Sequence, residues 1–194
     1  HLLAIARSAE VAFSMEDIDT LSRRIPCICK VAPSSSHHIE DVHRAGGIPT
    51  IMGELMRIGR IHTECPTVSG LSVGEQIRQN DIRGTADSIC SEALERALAA
   101  PGGTKNLKGF SQDNRYNSAD LDSESGVIRD ADHAYSSDGG LCVLYGNIAT
   151  DGCILKTAGV DESILAFTGR ARIADSQEQA IDLILNGGVR DGDV

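Results

Sequence analysis

The sequence predicts a mixed α/β protein with a helical first half and a second half that holds most of the β structure. Apolar residues recur at helical spacing over most of residues 1–99. After residue 140, short apolar runs alternate with turn residues, which is typical of strands. Capping pairs and glycines mark the ends of several helical stretches. We therefore expect a mainly helical region followed by a mixed, β-rich region within 194 residues.

Capping signals locate the clearest helices of the first half. Ser14 followed by Asp17 predicts a helix over about 15–23, and Ser72 followed by Glu75 predicts one near 73–80. Gly59 is a natural residue to follow the end of a helix. The further helices expected from apolar spacing cover 1–12, 37–45, 48–58 and 86–99.

The expected β structure consists of short segments. Residues 27–31 resemble a short buried strand or an extended segment, closed by Pro33. The runs 141–148 and 153–157 flank a turn at Asp151-Gly152 and predict a strand–turn–strand unit. Residues 171–174 predict a further strand, and Ser176 begins a helix that ends at 186–188.

Charge and hydropathy exclude some classes of function. The formal charge is −10 and no cluster of Lys and Arg interrupts it, which argues against a nucleic-acid partner. No apolar run approaches the ~18 residues of a membrane span, so no membrane partner is expected. Six scattered cysteines favour a reducing compartment, either the cytoplasm or an organelle matrix.

The metal-binding patterns in the sequence are weak. His37, His38 and His43 do not share one face of a helix, so packing or surface roles are favoured, with His43 the best ligand-contact candidate. Cys27 and Cys29 would lie on one face of a strand, but no second cysteine pair follows, which favours free buried thiols. Cys142 and Cys153 could face each other across paired strands. The residues expected at the glycine and glutamate positions of a calcium loop are absent from the acidic run 120–131.

Several long segments resemble, in the correct order, the dihydroxy-acid dehydratases, whose family also contains 6-phosphogluconate and sugar-acid dehydratases. The strongest resemblance covers residues 138–165. Cys29–Pro33 and Glu40–Gly47 resemble the dihydroxy-acid branch more than the phosphogluconate branch. The other matching segments are Leu21–Pro26, Phe110–Asp113, Gly126–Arg129, Ser176-Gln177 and Gly192–Val194.

The resemblance implies a hydro-lyase, that is, an enzyme that eliminates water without redox change. In this family Mg²⁺ binds the carboxylate and 2-hydroxyl of a 2,3-dihydroxy acid, and a serine base removes the Cα proton. An iron of a 2Fe–2S or 4Fe–4S cluster binds the departing 3-hydroxyl. The product is a 2-keto acid of valine and isoleucine biosynthesis. The implied assembly is a homodimer.

The resemblance also implies the domain order. Residues 1–62 would be the C-terminal part of a helical, α/β N-terminal domain, and 63–105 a linker or boundary region. Residues 106–194 would begin a swivelling β/β/α barrel, the C-terminal domain. No cluster, magnesium or base residue of the family can be assigned to a position here. We therefore expect a catalytically incomplete stretch of a longer enzyme that binds neither cofactor alone.

A few site candidates remain in the aligned segments. Lys156, Thr157, Ala158 and Gly159 resemble a loop that approaches substrate in swivelling domains, and a plain turn at the end of a strand is the alternative. His43, Asn147 and Asp161 are weaker candidates. Two other functions remain open: a sugar-acid or 6-phosphogluconate dehydratase, and a non-catalytic structural module.

Overall fold

The computed structural model describes residues 1–84, 90–106 and 108–194, except for the side chain of Glu162. It divides into two compact units, residues 1–159 and 160–194. The domain boundaries expected from the family resemblance (1–62, 63–105 and 106–194) stay a prediction.

The helices of the first unit begin and end close to the expected residues. The one part of the expected helices that cannot be compared is 86–89, which lies outside the described residues. The helices are α1 (Leu2–Ser8), α2 (Met15–Arg24), α3 (Ile39–Arg44), α4 (Gly47–Arg57), α5 (Val73–Asn80) and α6 (Ser91–Leu98).

Both predicted capping boxes are confirmed. The Asp17 backbone N–H donates to the Ser14 hydroxyl, while the Ser14 N–H donates to the Asp17 carboxylate at 2.7 Å. Ser72 and Glu75 make the same pair of bonds at the start of α5. Each box satisfies backbone donors that a helix start leaves free, which is why these two starts could be predicted to within a residue.

Glycine controls both ends of α4. Gly46 precedes the helix with φ +98°, in the left-handed region, and a Cβ there would lie 2.7 Å from the Ile82 side chain. At the other end Gly59 has φ +65°, and the Arg60 N–H donates to the Leu55 carbonyl at 2.8 Å. That bond closes a Schellman-type helix end, as predicted for Gly59.

The main core of the first unit joins helices to later, non-helical chain. Val42 of α3 and Ala45, the residue that follows this helix, pack on Val127 and Ile128, and all four are nearly inaccessible to water. The segment around Cys29 completes this core. It is extended, as predicted, but forms only isolated bridges, Cys27 with Ser136 and Cys29 with Ile128, in place of a continuous strand. A second small core contains Ile82, Ala93 and Ala97.

The predicted strand–turn–strand unit is confirmed as an antiparallel hairpin with shorter strands. β1 is Leu141–Leu144 and β2 is Cys153–Lys156. The suggestion that Cys142 and Cys153 face each other is wrong, because the register places Leu155 opposite Cys142 and Leu144 opposite Cys153. Both thiols are free.

Side chains of α2 cover the outer edge of β1. The Val143 N–H donates to the Asp19 carboxylate at 3.0 Å, and the Leu141 N–H donates to the Ser22 hydroxyl at 3.1 Å. Ser22 also accepts the Gly139 N–H on its backbone carbonyl. Two donors that an edge strand would leave free are thus satisfied by a helix.

The second unit contains α7 (Gln177–Leu185), which starts at the predicted Ser176 cap. Gly187, with φ +68°, follows its end as predicted. The strand predicted at 171–174 is wrong. Residues 171–174 are not assigned as a strand; beside them lie one parallel bridge, Arg170 with Asp193, and a bond from the Arg172 N–H to the Val194 carbonyl at 2.8 Å. Within the described part of the chain, no helix is long and apolar enough to cross a membrane.

Candidate functional site

The predicted substrate loop, residues Lys156–Gly159, lies at the end of the hairpin; we call it the candidate loop. Lys156 is the last residue of β2, pairs with Leu141 and is exposed to solvent. Thr157–Gly159 form one 3-10 turn directly after it. Lys156 thus presents an ammonium group to solvent at the end of the hairpin, where it can pair with an anion.

Two close backbone approaches hold the candidate loop. The Ala158 N–H donates to the Gly140 carbonyl at 3.3 Å. Gly140 has φ +76°, and a Cβ there would lie 2.7 Å from the Ala158 methyl group. A Cβ on Gly159 would lie 3.0 Å from the Ser34 hydroxyl. Glycine at both positions allows the turn to pack against the loop that contains Ser34.

The weaker candidates do not join the candidate loop in one described site. His43 is half-buried on α3, where its Nε2–H donates to the Ala99 carbonyl at 2.8 Å. Asn147 is exposed in the hairpin turn. Asp161 belongs to the second unit. Its carboxylate accepts the Ser163 hydroxyl and N–H, which lowers the pKa of Asp161.

Cys27 is buried and Cys29 is half-buried, and both lie near Tyr135. Burial, with a smaller contribution from Cys27, raises the pKa of the Cys29 thiol to about 11. Arg129 stacks over the Tyr135 ring with its guanidinium carbon 4.0 Å from the ring centre, and the Lys30 ammonium lies 5.7 Å from it. Cys29 is thus held as a protonated thiol at neutral pH. Ligation of a metal by Cys29 would require loss of the thiol proton, since the thiolate is the ligating form.

A buried ionic cluster connects α4 with the chain after α5. Arg83 donates to Glu54 at 3.0 Å and to the Ile128 carbonyl at 2.6 Å, with only 7% and 6% of the two ionic side chains exposed. Arg57 pairs with Glu54 at 3.1 Å and with Asp81. Among the described residues, the Arg83 Nε finds no partner. The cluster joins sequence-distant segments and contacts no part of the candidate loop.

The metal-ligating side chains of the described residues are not arranged to hold an iron–sulfur cluster or Mg²⁺. No three His, Cys, Asp or Glu side chains within residues 1–84, 90–106 and 108–194 converge to hold an ion. The carboxylates of the Asp120–Asp130 turn bind backbone N–H groups and serine hydroxyls of their own turn. We therefore assign no catalytic step through a metal to these residues.

Comparison with protein-family models gives two matches, which lie in different parts of the chain. Residues 1–76 match the family model described as dihydroxy-acid/6-phosphogluconate dehydratase N-terminal. Residues 126–194 match the C-terminal model of the same family. The two matches cover most of the chain in the order in which the domains occur. The chain belongs to the dihydroxy-acid/6-phosphogluconate dehydratase family, whose members are hydro-lyases.

Sequence reasoning found the candidate loop but missed its support and the ionic cluster. The Gly139-Gly140 pair and the serine loop are visible in the sequence, but nothing local indicates that they meet at Ala158 and Gly159. Glu54 and Arg57 have a helical i,i+3 spacing that could have suggested a pair. Their partner Arg83 lies too far along the chain to be inferred from spacing.

Proposed function

We propose that this chain is part of a dihydroxy-acid dehydratase of valine and isoleucine biosynthesis. Its substrates would be 2,3-dihydroxyisovalerate and 2,3-dihydroxy-3-methylvalerate, and its products the corresponding 2-keto acids. The observation that carries the choice within the family is the resemblance of Cys29–Pro33 and Glu40–Gly47 to the dihydroxy-acid branch. Both segments lie within the stretch that matches the N-terminal family model.

The reaction removes a proton from C2 and the hydroxyl from C3, and the resulting enol becomes a 2-keto acid. Our proposal gives the described residues a binding role in this reaction. The exposed Lys156 ammonium can neutralise the substrate carboxylate, and the 3-10 turn behind it fixes the strand end from which it projects. The iron–sulfur cluster, Mg²⁺ and the proton-abstracting base would come from elsewhere in the full-length protein. We propose that this protein is a homodimer in the cytoplasm or an organelle matrix.

The alternative substrate within the family carries a phosphate. Recognition of a phosphate dianion favours several converging cationic groups, and arginine is the usual choice. In the part of the chain that the structure describes, the candidate loop contributes one cation, Lys156. One ammonium can pair with the carboxylate that dihydroxy acids, gluconate and 6-phosphogluconate all carry, so our choice among these substrates rests on the resemblance of Cys29–Pro33 and Glu40–Gly47.

A substrate panel on the full-length protein tests this proposal. After anaerobic reconstitution with iron and sulfide, with Mg²⁺ present, kcat/KM is measured for 2,3-dihydroxyisovalerate, 6-phosphogluconate and a sugar acid such as gluconate. We expect the dihydroxy acid to be preferred by about 100-fold or more, in the range that specific polar recognition provides. A preference for 6-phosphogluconate or gluconate would overturn the assignment.

A lysine variant tests the role of the candidate loop. Lys156→Gln should raise KM for 2,3-dihydroxyisovalerate about tenfold, with a smaller effect on kcat, because the lost carboxylate contact is made equally in ground and transition states. Lys108→Gln, another exposed lysine, is the matched control. Equal KM values for the two variants would exclude Lys156 from substrate binding.

A further inference from the structure

A small cleft lies between the end of α2 and the chain that follows α4. Its volume is about 180 Å³. One wall is formed by Leu21 and Arg24 of the last turns of α2, together with Ile25, the residue that follows the helix. The other wall is the segment 59–62. The cleft shares no residue with the candidate loop, so it is a separate place in the first unit.

The charged groups of this cleft are all basic. Arg24, Arg60 and His62 line it, and no carboxylate does. Among the described residues neither arginine has an ion-pair partner, whereas the neighbouring Arg23 is bound to Asp19 at 2.6 Å. In a chain with a formal charge of −10, two free guanidinium groups in one concave site are unusual.

Helix electrostatics explains only part of this arrangement. Arg24 lies in the last turn of α2, where a cation is favoured by the helix dipole without any ligand. Arg60 and His62 lie beyond the end of α4 in non-helical chain. Gly59 opens the cleft beside them, because a Cβ at this position would contact nothing within 4 Å.

The remaining walls of the cleft are aliphatic. Leu21, Ile25 and Ile61 contribute branched side chains beside the basic groups. A guanidinium fork recognises an oxyanion, and the apolar walls favour a short hydrocarbon attached to it. The volume is below the ~300 Å³ at which pockets for drug-sized ligands begin, so the ligand has few heavy atoms.

We propose that this cleft binds a short aliphatic carboxylate, with Arg24 and Arg60 on the carboxylate and Leu21, Ile25 and Ile61 around the alkyl group. The proposal is independent of the dehydratase assignment, since it rests only on the lining of the cleft. None of these residues belongs to the candidate loop, so this binding site is distinct from the lysine that we propose to bind the substrate.

Binding of isovalerate to the full-length protein, measured by titration calorimetry at constant ionic strength, tests the proposal. We expect a Kd on the order of 1 mM, as suits so small a ligand. The neutral isostere isovaleramide and inorganic phosphate serve as comparison probes. Both should bind at least about tenfold more weakly, because the first lacks the charge and the second the alkyl group. Phosphate binding as tight as isovalerate would overturn the aliphatic assignment.

Variants locate the bound carboxylate. Arg24→Gln/Arg60→Gln should weaken isovalerate binding about tenfold, because both guanidinium groups that would hold the carboxylate are lost. Arg7→Gln, an exposed arginine of α1, is the matched control and should bind like the parent. Ile61→Glu, which keeps both arginines but adds a carboxylate, should also abolish binding. Unchanged isovalerate affinity in the double variant or in Ile61→Glu would overturn the proposal.

Discussion

At the scale of single residues, the pair of Glu54 and Arg83 has the largest expected effect on stability. Both side chains are more than nine-tenths buried, and Arg83 also donates to two backbone carbonyls, those of Asp122 and Ile128. Two buried charges stabilise the fold only while both are present, because either alone leaves an uncompensated charge in a poorly solvated place.

Glu54→Gln should therefore destabilise the protein by about 3 kcal/mol, since it leaves Arg83 buried without a counter-charge. Arg23→Gln is the control, because its partner Asp19 keeps the Val143 N–H bond and Arg23 is 66% exposed. The loss there should be about 0–1 kcal/mol. Urea unfolding of both variants measures the two free energies. Similar values would mean that the buried cluster contributes no more than a surface pair.

Gly46→Ala is expected to be more damaging than Gly59→Ala at the other end of α4. At φ +98° any side chain is strained, and this one would also collide with Thr50 and Ile82. We expect a loss of more than about 2 kcal/mol in unfolding free energy. Gly59→Ala is the comparison, with a similar positive φ but open space around it, and should cost about 1 kcal/mol. Equal losses of unfolding free energy would show that the Thr50 and Ile82 side chains move away from the new methyl group without a free-energy penalty.

At the scale of elements, the joint between α2 and β1 orients the hairpin that carries the candidate loop. Ser22→Ala removes the acceptor of the Leu141 N–H while leaving the Ser22 carbonyl bond to Gly139 in place. We expect the unfolding free energy to fall by about 1–2 kcal/mol, because the Leu141 N–H at the partly buried edge of β1 loses its acceptor. Hydrogen exchange at Leu141 should accelerate more than at Ile128 in the core. Unchanged protection at Leu141 would show that the α2 contact does not hold the strand.

The acidic turn at Asp122 should show a distinct pH dependence. Bonds from the Ser125 hydroxyl, then from backbone N–H groups of Ser125 and Glu124, lower the pKa of Asp122 to about 2. Because the folded pKa lies below the unfolded one, the turn is stabilised above about pH 4 and loses this stabilisation as the pH falls towards 2. A carboxyl NMR titration measures this pKa directly. Ser125→Ala should raise it, and a pKa near 3.8 in the parent would contradict the structure.

How well each element can be predicted depends on how far apart along the chain its interacting residues lie. The starts of α2 and α5 depend on contacts three residues apart, so Ser14 and Ser72 reveal them. The extended segment at Cys29 and the false strand at 171–174 have similar apolar patterns. Whether such a segment joins a ladder depends on a distant partner, Ile128 in one case and a single bridge to Asp193 in the other. That information is not local.

At the scale of the whole molecule, much apolar surface faces solvent. In the second unit, the described residues of α7 include no buried side chain, and Ile184 and Leu185 are 64% and 77% exposed. In the hairpin turn Ile148 is 97% exposed. Contiguous exposed apolar surface normally becomes an interface. These surfaces are consistent with our proposal that the chain works within a larger protein.

The candidate site shows how far sequence reasoning extends for the whole molecule. Family segments located the candidate loop at Lys156–Gly159, because resemblance needs no knowledge of contacts. The support of that loop by Gly140 and Ser34 depends on how the hairpin folds back against residues more than a hundred positions earlier. The basic cleft at Arg24 and Arg60 also arises only when two helix ends meet.

We propose that this chain is a structural and substrate-binding stretch of a dehydratase whose metal-binding and proton-abstracting groups come from elsewhere in the full-length protein. The most direct test measures bound iron and keto-acid formation from 2,3-dihydroxyisovalerate, after anaerobic reconstitution with Mg²⁺, for the 194-residue chain and for the full-length protein. We predict iron and turnover in the full-length protein and neither in the 194-residue chain. Stoichiometric iron with turnover in the 194-residue chain would contradict the account, because Cys27, Cys29 and their neighbours would then form a catalytic site.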